Sequence, residues 1–471
     1  MKASLLTVMI GTSLLSCAKK DSSSARLDLS AKEETTVHTA AALDEGAAGK
    51  ADDTAGAPAP SMPAKADGRA GRDKALATAR SAGVLGATAV DETPPATAAV
   101  AADVAVAAGE WDDNANFRDY TKWLAGAQRN IARLDVASRE FLVVTDKNGK
   151  PVPNCSIAIT GGKKSASLVT MASGRALLFP NALGLSGQLT ATATCAKTSV
   201  AAPVDLQKLD AVTKLVLDTQ RELPARRTVD LAFVLDTTGS MSEEIEAVKS
   251  TIRTVASKLS TDQTDVRIGL VEYKDRVDAQ VTRTYPFSSD IAAFSRSVAG
   301  LTADGGGDTP EDMQAGLAAA LDKLQWRGDA VSRMIVVIAD APPHLDYQDE
   351  KDFADASRRA SARGIKIFTV SASGMDDTGQ IVMRQMAQYT GASNMFVLRG
   401  GAGPQSVGGG DPKSSCGGTH ENYTSGNLDQ LIVNKIRQEL KSLDADPMQI
   451  AGRGQDEKSK PCKERIVMAT N

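Results

Sequence analysis

The apolar run Val229-Asp230-Leu231-Ala232-Phe233-Val234-Leu235 passes without a spacer into Asp236-Thr237-Thr238-Gly239-Ser240-Met241. A short β-branched and aliphatic run closed by a Gly/Ser turn predicts a buried parallel strand. From Glu243 to Leu259 the apolar residues Ile245, Val248, Ile252, Val255 and Leu259 fall at helical spacing. A strand feeding a helix through a tight turn belongs to an open α/β sheet, and such sheets bind ligands beyond the carboxyl ends of their strands. The turn brings one carboxylate and two hydroxyls, Asp236, Thr238 and Ser240, to that end of the sheet. Such oxygen donors, with waters, suit a hard octahedral cation such as Mg²⁺. Taken alone, Ser240 or Ser242 serves equally well as a helix cap.

Two further segments narrow the choice. Arg333 to Ala339 is a second buried-strand run, ending in Asp340-Ala341-Pro342-Pro343-His344. Between the strands lies Gly305-Gly306-Gly307-Asp308-Thr309-Pro310-Glu311, a glycine-rich loop that opens a helix with Pro at its start. The three loops, in this order, resemble the von Willebrand factor type A (VWA) domain and its metal-ion-dependent adhesion site. The resemblance places Asp236, Thr238 and Ser240 in the first loop and Asp340 in the third. For the second loop it leaves two candidates. Most of the family supplies a Thr, here Thr309. Counting back from Gly316, and the similarity of Asp-x-Pro-Glu to integrin β-subunit domains, points to Glu311. Asp308 and His344 are candidates for supporting positions behind the ligands. The implied ion is Mg²⁺ (or Mn²⁺), with one coordination position left for an acidic side chain of a protein partner.

The resemblance spans 227–443 and implies a doubly wound, mainly parallel α/β sheet. Val266–Tyr273, Ile365–Val370 and Asn394–Leu398 are expected strands, with a short edge strand at Gln280–Arg283. Helices are expected over Phe353–Arg363, Thr378–Tyr389 and Leu428–Leu443, with a Gly-rich insertion at 399–424 and a tail at 444–471.

Upstream, Met1-Lys2 and the apolar stretch Ala3–Leu15 end in Leu14-Leu15-Ser16-Cys17. The stretch is too short to span a bilayer. It resembles a bacterial lipoprotein signal, 1–16, cut before a lipidated Cys17. That implies a lipid-anchored protein of the bacterial cell envelope, at the outer membrane rather than the inner. Residues 17–108 are Ala-rich and almost free of aromatics, a composition that predicts a disordered tether. Phe117, Tyr120 and Leu124 then mark a short amphipathic helix in an aromatic strap, 109–137, packed on the following domain.

Residues 138–220 alternate like an antiparallel sheet. They loosely resemble an Ig-like or carboxypeptidase-regulatory-like β-sandwich. Cys155, Ile157 and Ile159 share one face, and Leu189, Ala191, Ala193 and Cys195 share another. This predicts a bridge Cys155–Cys195 between facing sheets. Of five cysteines, lipidation of Cys17 leaves an even number, and the nearest pairing of the rest is Cys416–Cys462. Other connectivities stay open.

A formal charge of −4 with no basic stripe argues against nucleic-acid binding. The three His residues, at 38, 344 and 420, form no H-E-x-x-H or triad pattern, and no nucleophile elbow occurs. No small-molecule cofactor is indicated. The sequence therefore describes a binding protein rather than an enzyme. Two rivals remain: a divalent-metal-dependent hydrolase, and an envelope protein whose metal merely fastens three loops.

Overall fold

The computed structural model describes residues 106–448, apart from 128–130, 132, 261–263, 348–350 and 398–423. The signal segment with Cys17, nearly all of the expected tether, the Gly-rich insertion up to residue 423 with Cys416, and the tail beyond Met448 with Cys462 lie outside the described residues.

The described chain opens with strand β1 (Ala107–Trp111), then helix α1 (Phe117–Gly126). The sequence reading puts the tether's end and the strap's start where β1 lies. Ala-Ala-Gly-Glu-Trp has little strand propensity of its own, and its pairing on both sides overrides that. Helix α1 buries Phe117, Tyr120 and Leu124, as its spacing predicts.

A β module follows: β2 (Glu140–Thr145), β3 (Ser156–Gly161), β4 (Lys164–Val169), β5 (Arg175–Leu178), the short helix α2 (Pro180–Leu183), β6 (Leu189–Cys195), β7 (Thr198–Val204) and β8 (Ala211–Val216). It forms two sheets, β5-β2-β8 and β4-β3-β6-β7. The expected all-antiparallel pattern is corrected at one pair, since β2 and β8 run parallel. Leu142, Val144, Ala176, Leu178 and Leu215 share a core with Ile157, Ile159, Ala191 and Ala193 of the other sheet. Phe141 and Val143 point the opposite way, into a core shared with the α/β unit. Strand β2 is thus buried on both faces, which is why its sequence is an unbroken apolar run. Cys155 and Cys195 are bridged, with Cα atoms 4.6 Å apart. The pairing is as expected, but its setting is corrected. Strands β3 and β6 are neighbours in one sheet, with Ser156 opposite Thr194. Alternation fixes the face a residue occupies, and directly opposed residues of adjacent antiparallel strands share a face.

The α/β unit comprises β9 (Arg227–Asp236), a 3₁₀ turn (Gly239–Glu243), α3 (Ile245–Ser260), β10 (Thr264–Tyr273), β11 (Thr282–Ser288), α4 (Ile291–Ala299), α5 (Met313–Asp322), β12 (Ser332–Ala339), α6 (Phe353–Ser361), β13 (Ile365–Ser371), α7 (Asp377–Tyr389), β14 (Asn394–Val397), β15 (Thr424–Asn427) and α8 (Leu428–Ser442). The sheet order is β11-β10-β9-β12-β13-β14-β1-β15. Strands β10, β9, β12, β13 and β14 are parallel; β11 and β1 join antiparallel. The edge strand lies later than the expected Gln280–Arg283, because residues 274–281 form a loop over the sheet end.

Along β9, Leu231, Phe233 and Leu235 enter a core with α3, α4 and α8, while Ala232 and Val234 enter one with α5, α6 and α7. Each large aliphatic buried this way contributes roughly 1.5–3 kcal/mol. Helix α3 leaves β9 toward β10 on one face, and α5 leads into β12 on the other. The crevice between the carboxyl ends of β9 and β12 is therefore a topological switch point.

Candidate functional site

Asp236 ends β9 and Asp340 follows β12, so the switch point itself sets two carboxylates side by side. The Asp236 side chain is fully buried. Its Oδ1 accepts from the Thr238 amide at 3.0 Å and the Thr238 hydroxyl at 2.7 Å. Its Oδ2 accepts from the Tyr273 hydroxyl at 3.3 Å. The Thr238 and Ser240 hydroxyl oxygens are 3.1 Å apart, and Ser240 Oγ donates to Asp340 Oδ1 at 3.0 Å. One chain of contacts thus runs from Asp236 through both hydroxyls to Asp340.

Glu311 completes the group. Its amide donates to Pro342 O and its carbonyl accepts from the His344 amide, both at 3.0 Å, tying the second loop to the third. The carboxyl is buried close enough to the Thr238 side chain to be influenced by its hydroxyl, while Oε2 has no partner. Gly306, at φ +87°, makes room: a Cβ there would lie 2.7 Å from Glu311 Oε1 and 2.9 Å from Thr238 Cβ. The first loop is fastened to the second by Gly239 N to Gly305 O at 3.0 Å and Asp304 N to Thr237 O at 3.1 Å.

The electrostatics are those of carboxylates crowded together away from water. Burial, then the charge of Asp340, pushes Asp236 up to about 7, against the bonds from Thr238 and Tyr273. Burial, then Asp236, pushes Glu311 up to about 8. Asp340 is raised by burial, with the Ser240 bond opposing. A fourth acid, Glu244, accepts from the Ser373 amide and is raised to about 7, chiefly by burial.

These contacts allow a test of fit to a cation. Thr238 has one hydroxyl hydrogen and three acceptors around it: Asp236 Oδ1, Ser240 Oγ and the Glu311 carboxyl. Ser240's hydrogen goes to Asp340. With the acids ionised, the two hydroxyl oxygens face each other through lone pairs, and Glu311 Oε2 stays buried and unsatisfied. A divalent ion answers all of these at once. Among the described residues no three His, Cys, Asp or Glu side chains are grouped to hold an ion. Any ion here would depend on the hydroxyls and on water as well.

The other expected residues lie apart. Thr309 and Asp308 are exposed. Helix α5 begins at Met313, with the Asp312 side chain accepting from Ala315 N at 2.9 Å. The expectation that Pro310 opens the helix is corrected: a side-chain cap sets the start further on. His344 Nδ1 is 2.8 Å from Asp346 Oδ1 and Nε2 is 3.3 Å from Asp275 Oδ1. Its ring stacks on Tyr347 at 3.8 Å. It supports Glu311 through its backbone, not its ring. Sequence reasoning missed Tyr273 and Glu244. Tyr273 carried a signal, since it ends the strand next to β9 in register with Asp236.

A mixed α/β sheet with acid- and hydroxyl-bearing loops at its switch point defines the class. Residues 230–401 match the family model of the von Willebrand factor type A domain, so a domain of that family is present. Domains of this class bind rather than catalyse. The chain is 35% identical over 153 residues to alpha-protein kinase vwkA of Dictyostelium discoideum, covering 32% of this chain and 24% of that protein. It thus spans about a quarter of that relative's length. Among solved structures it is similar to proximal thread matrix protein 1 of the mussel byssus, with 16% identity and a TM-score of 0.28 over 34% of this chain and 40% of that one. It is also similar to an aerotolerance-related membrane protein of Bacteroides fragilis, with 15% identity and a TM-score of 0.29 over 45% of this chain and 98% of that one.

Proposed function

We propose that the VWA domain binds a protein partner through a divalent cation, Mg²⁺ or Mn²⁺, held by Asp236, Thr238, Ser240, Glu311 and Asp340 together with water. Glu311 is preferred to Thr309 because its buried Oε2 lacks a partner. That observation, with the contested Thr238 hydrogen, carries the reading. The bound ion would supply positive charge at the rim for a partner's acidic side chain. The protein's own residues have separate tasks. Tyr273 and the Thr238 amide orient Asp236, the backbone of the third loop holds Glu311, and Gly306 keeps the approach clear. Calorimetric titration of Mg²⁺ and Mn²⁺ into the full chain tests this. Wild type should bind, and Asp236→Ala and Glu311→Gln should not; equal heats from all three would overturn it.

We further infer, from the Leu14–Cys17 run, anchorage of the chain in the bacterial cell envelope by lipidated Cys17, on the outer membrane. The β module serves as an Ig-like platform packed against the binding domain, and Cys416–Cys462 forms a second bridge. Incorporation of labelled palmitate that persists in Cys17→Ser would refute the anchor.

A further inference from the structure

We propose that the rim of this site selects a partner segment in which an aliphatic side chain stands beside the cation-seeking carboxylate, flanked by basic residues. The proposal rests on the cation-dependent reading above. Among the described residues the exposed large hydrophobic side chains are Leu209, Val216, Val277 and Leu345. Scattered singly, such residues need no explanation. Two of these four, however, lie on loops tied to the loop that carries Glu311. Val277, 76% exposed, lies on the β10–β11 loop, and a Cβ on Gly307 would sit 3.8 Å from its Cγ2. It abuts the glycine loop that leads into Glu311. Leu345, 37% exposed, follows His344, whose amide holds the Glu311 carbonyl.

Both side chains stand on braced backbone. Tyr347 donates to Asp275 Oδ1 at 2.9 Å, and the Arg276 guanidinium lies 3.6 Å over the Tyr347 ring. Asp278 Oδ2 accepts from the amides of Asp275 and Gly306, at 3.1 and 3.0 Å, joining this loop to the glycine loop. A braced apolar pair loses little freedom on binding, so its burial shows up as affinity. Apolar contacts around a desolvated polar centre also exclude water from it, as at the core of protein interfaces. Glu243, in the 3₁₀ turn after the first loop, and Asp308, in the glycine loop, are both exposed. Their field favours a partner that carries basic residues on either side of its single acid.

The probes are labelled peptides, acetyl-Lys-Leu-Asp-Lys-amide and its Ala-Asp and Leu-Asn analogues, followed by fluorescence polarisation with Mn²⁺ and the full chain. Wild type should bind the Leu-Asp peptide about tenfold more tightly than the Ala-Asp one, within the range expected for an apolar contact, and EDTA should abolish both. Val277→Ser with Leu345→Ser should erase that ratio while leaving the calorimetric Mn²⁺ isotherm unchanged; if the pair folds poorly, Val277→Ser alone should halve the preference or more. A Mn²⁺-loaded wild type with no preference for Leu, or a preference that survives the double variant, overturns the proposal and leaves the metal reading standing. Absence of Mn²⁺ binding overturns the metal reading, and this proposal with it. Sedimentation reads the rival occupant, a second copy of the chain: a dimer lost in the double variant would overturn the peptide proposal.

Discussion

Replacing Asp236 by Asn should stabilise the metal-free protein at alkaline pH and at the same time abolish its response to divalent cations. The side chain is fully buried, and burial followed by the charge of Asp340 lifts its carboxyl from an ordinary 3.8 to about 7. A raised value means that the folded protein holds this proton more tightly than the unfolded chain does. The stability this confers is complete below about pH 3.8 and is lost as pH rises through about 7. The displacement corresponds to about 4 kcal/mol as an upper bound, reduced by relaxation and by proton sharing with Glu311. Glu311, raised to about 8, works in the same direction. Asn can keep the Thr238 amide and hydroxyl on its oxygen and present its NH₂ to the Tyr273 hydroxyl, so the geometry survives without the charge.

In EDTA near about pH 8.5, Asp236→Asn should melt several degrees above wild type, at roughly 2 °C per kcal/mol for a folded unit of this size. The gap should narrow steadily as the buffer is taken toward about pH 5, where the wild-type acid regains its proton. Saturating Mg²⁺ or Mn²⁺ should reverse the order, because an ion that binds only the folded state raises its stability. Differential scanning fluorimetry across this grid of pH and metal reads all three effects. A wild-type melting curve in EDTA that does not shift with pH, or a variant less stable than wild type at the alkaline end, would refute the reasoning.

Three other outcomes are expected of the same molecule. Gly306→Ala should weaken Mn²⁺ binding by about tenfold or more, since the new methyl would meet Glu311 Oε1 at 2.7 Å on backbone at φ +87°; an unchanged calorimetric isotherm would contradict it. Arg384→Met should cost ~3–5 kcal/mol in urea denaturation, because it strands the buried Asp113 carboxylate, 2.6 Å from the guanidinium in the intact protein; a loss under about 1 kcal/mol would count against it. Reducing Cys155–Cys195, which closes a separation of 40 residues, should lower stability by ~2–4 kcal/mol, and a melting temperature indifferent to reductant would dismiss it.

Much of the site's framework was legible in the sequence because its strands are buried on both faces. Residues 229–235 and 333–339 read as continuous apolar runs, and each run delivers its acid to the strand end by geometry alone. At β2 the expectation of an antiparallel sheet fails, because this apolar run lies between two cores and pairs in parallel with β8. Strand β1 was illegible, because Ala107–Trp111 has neither alternation nor β-branching, and only its two neighbours make it a strand. The Cys155–Cys195 pairing could be read because alternation puts both on one buried face. Whether the partner strand sits beside or opposite is a matter of topology, on which alternation is silent. Thr309 and Glu311 could not be separated by sequence. What separates their positions is Asp312, whose cap starts α5 late enough to leave Glu311 in a backbone bridge to Pro342 and His344 while Thr309 stays exposed.

The misread strand also changes what counts as the binding unit. The family match begins at residue 230, yet β1 lies between β14 and β15 and pairs with both. Two buried cations depend on the same segment. Lys435 of α8 pairs with Glu110, and Arg384 of α7 pairs with Asp113 beneath the rings of Trp111 and Trp123. Without residues 106–126, both charges would be buried without those partners, and β14 would lose a neighbour. Helix α8 packs in one core with α3, and Lys258 of α3 pairs with Asp429 of α8. The start of α3 is held at the 3₁₀ turn that contains Ser240, so support for the first loop runs back through α3 and α8 to the amino-terminal strand. On physical grounds the smallest piece that can present Asp236, Ser240 and Asp340 in their observed geometry includes that strand, more than a hundred residues (about 120) upstream of where the recognisable motif begins.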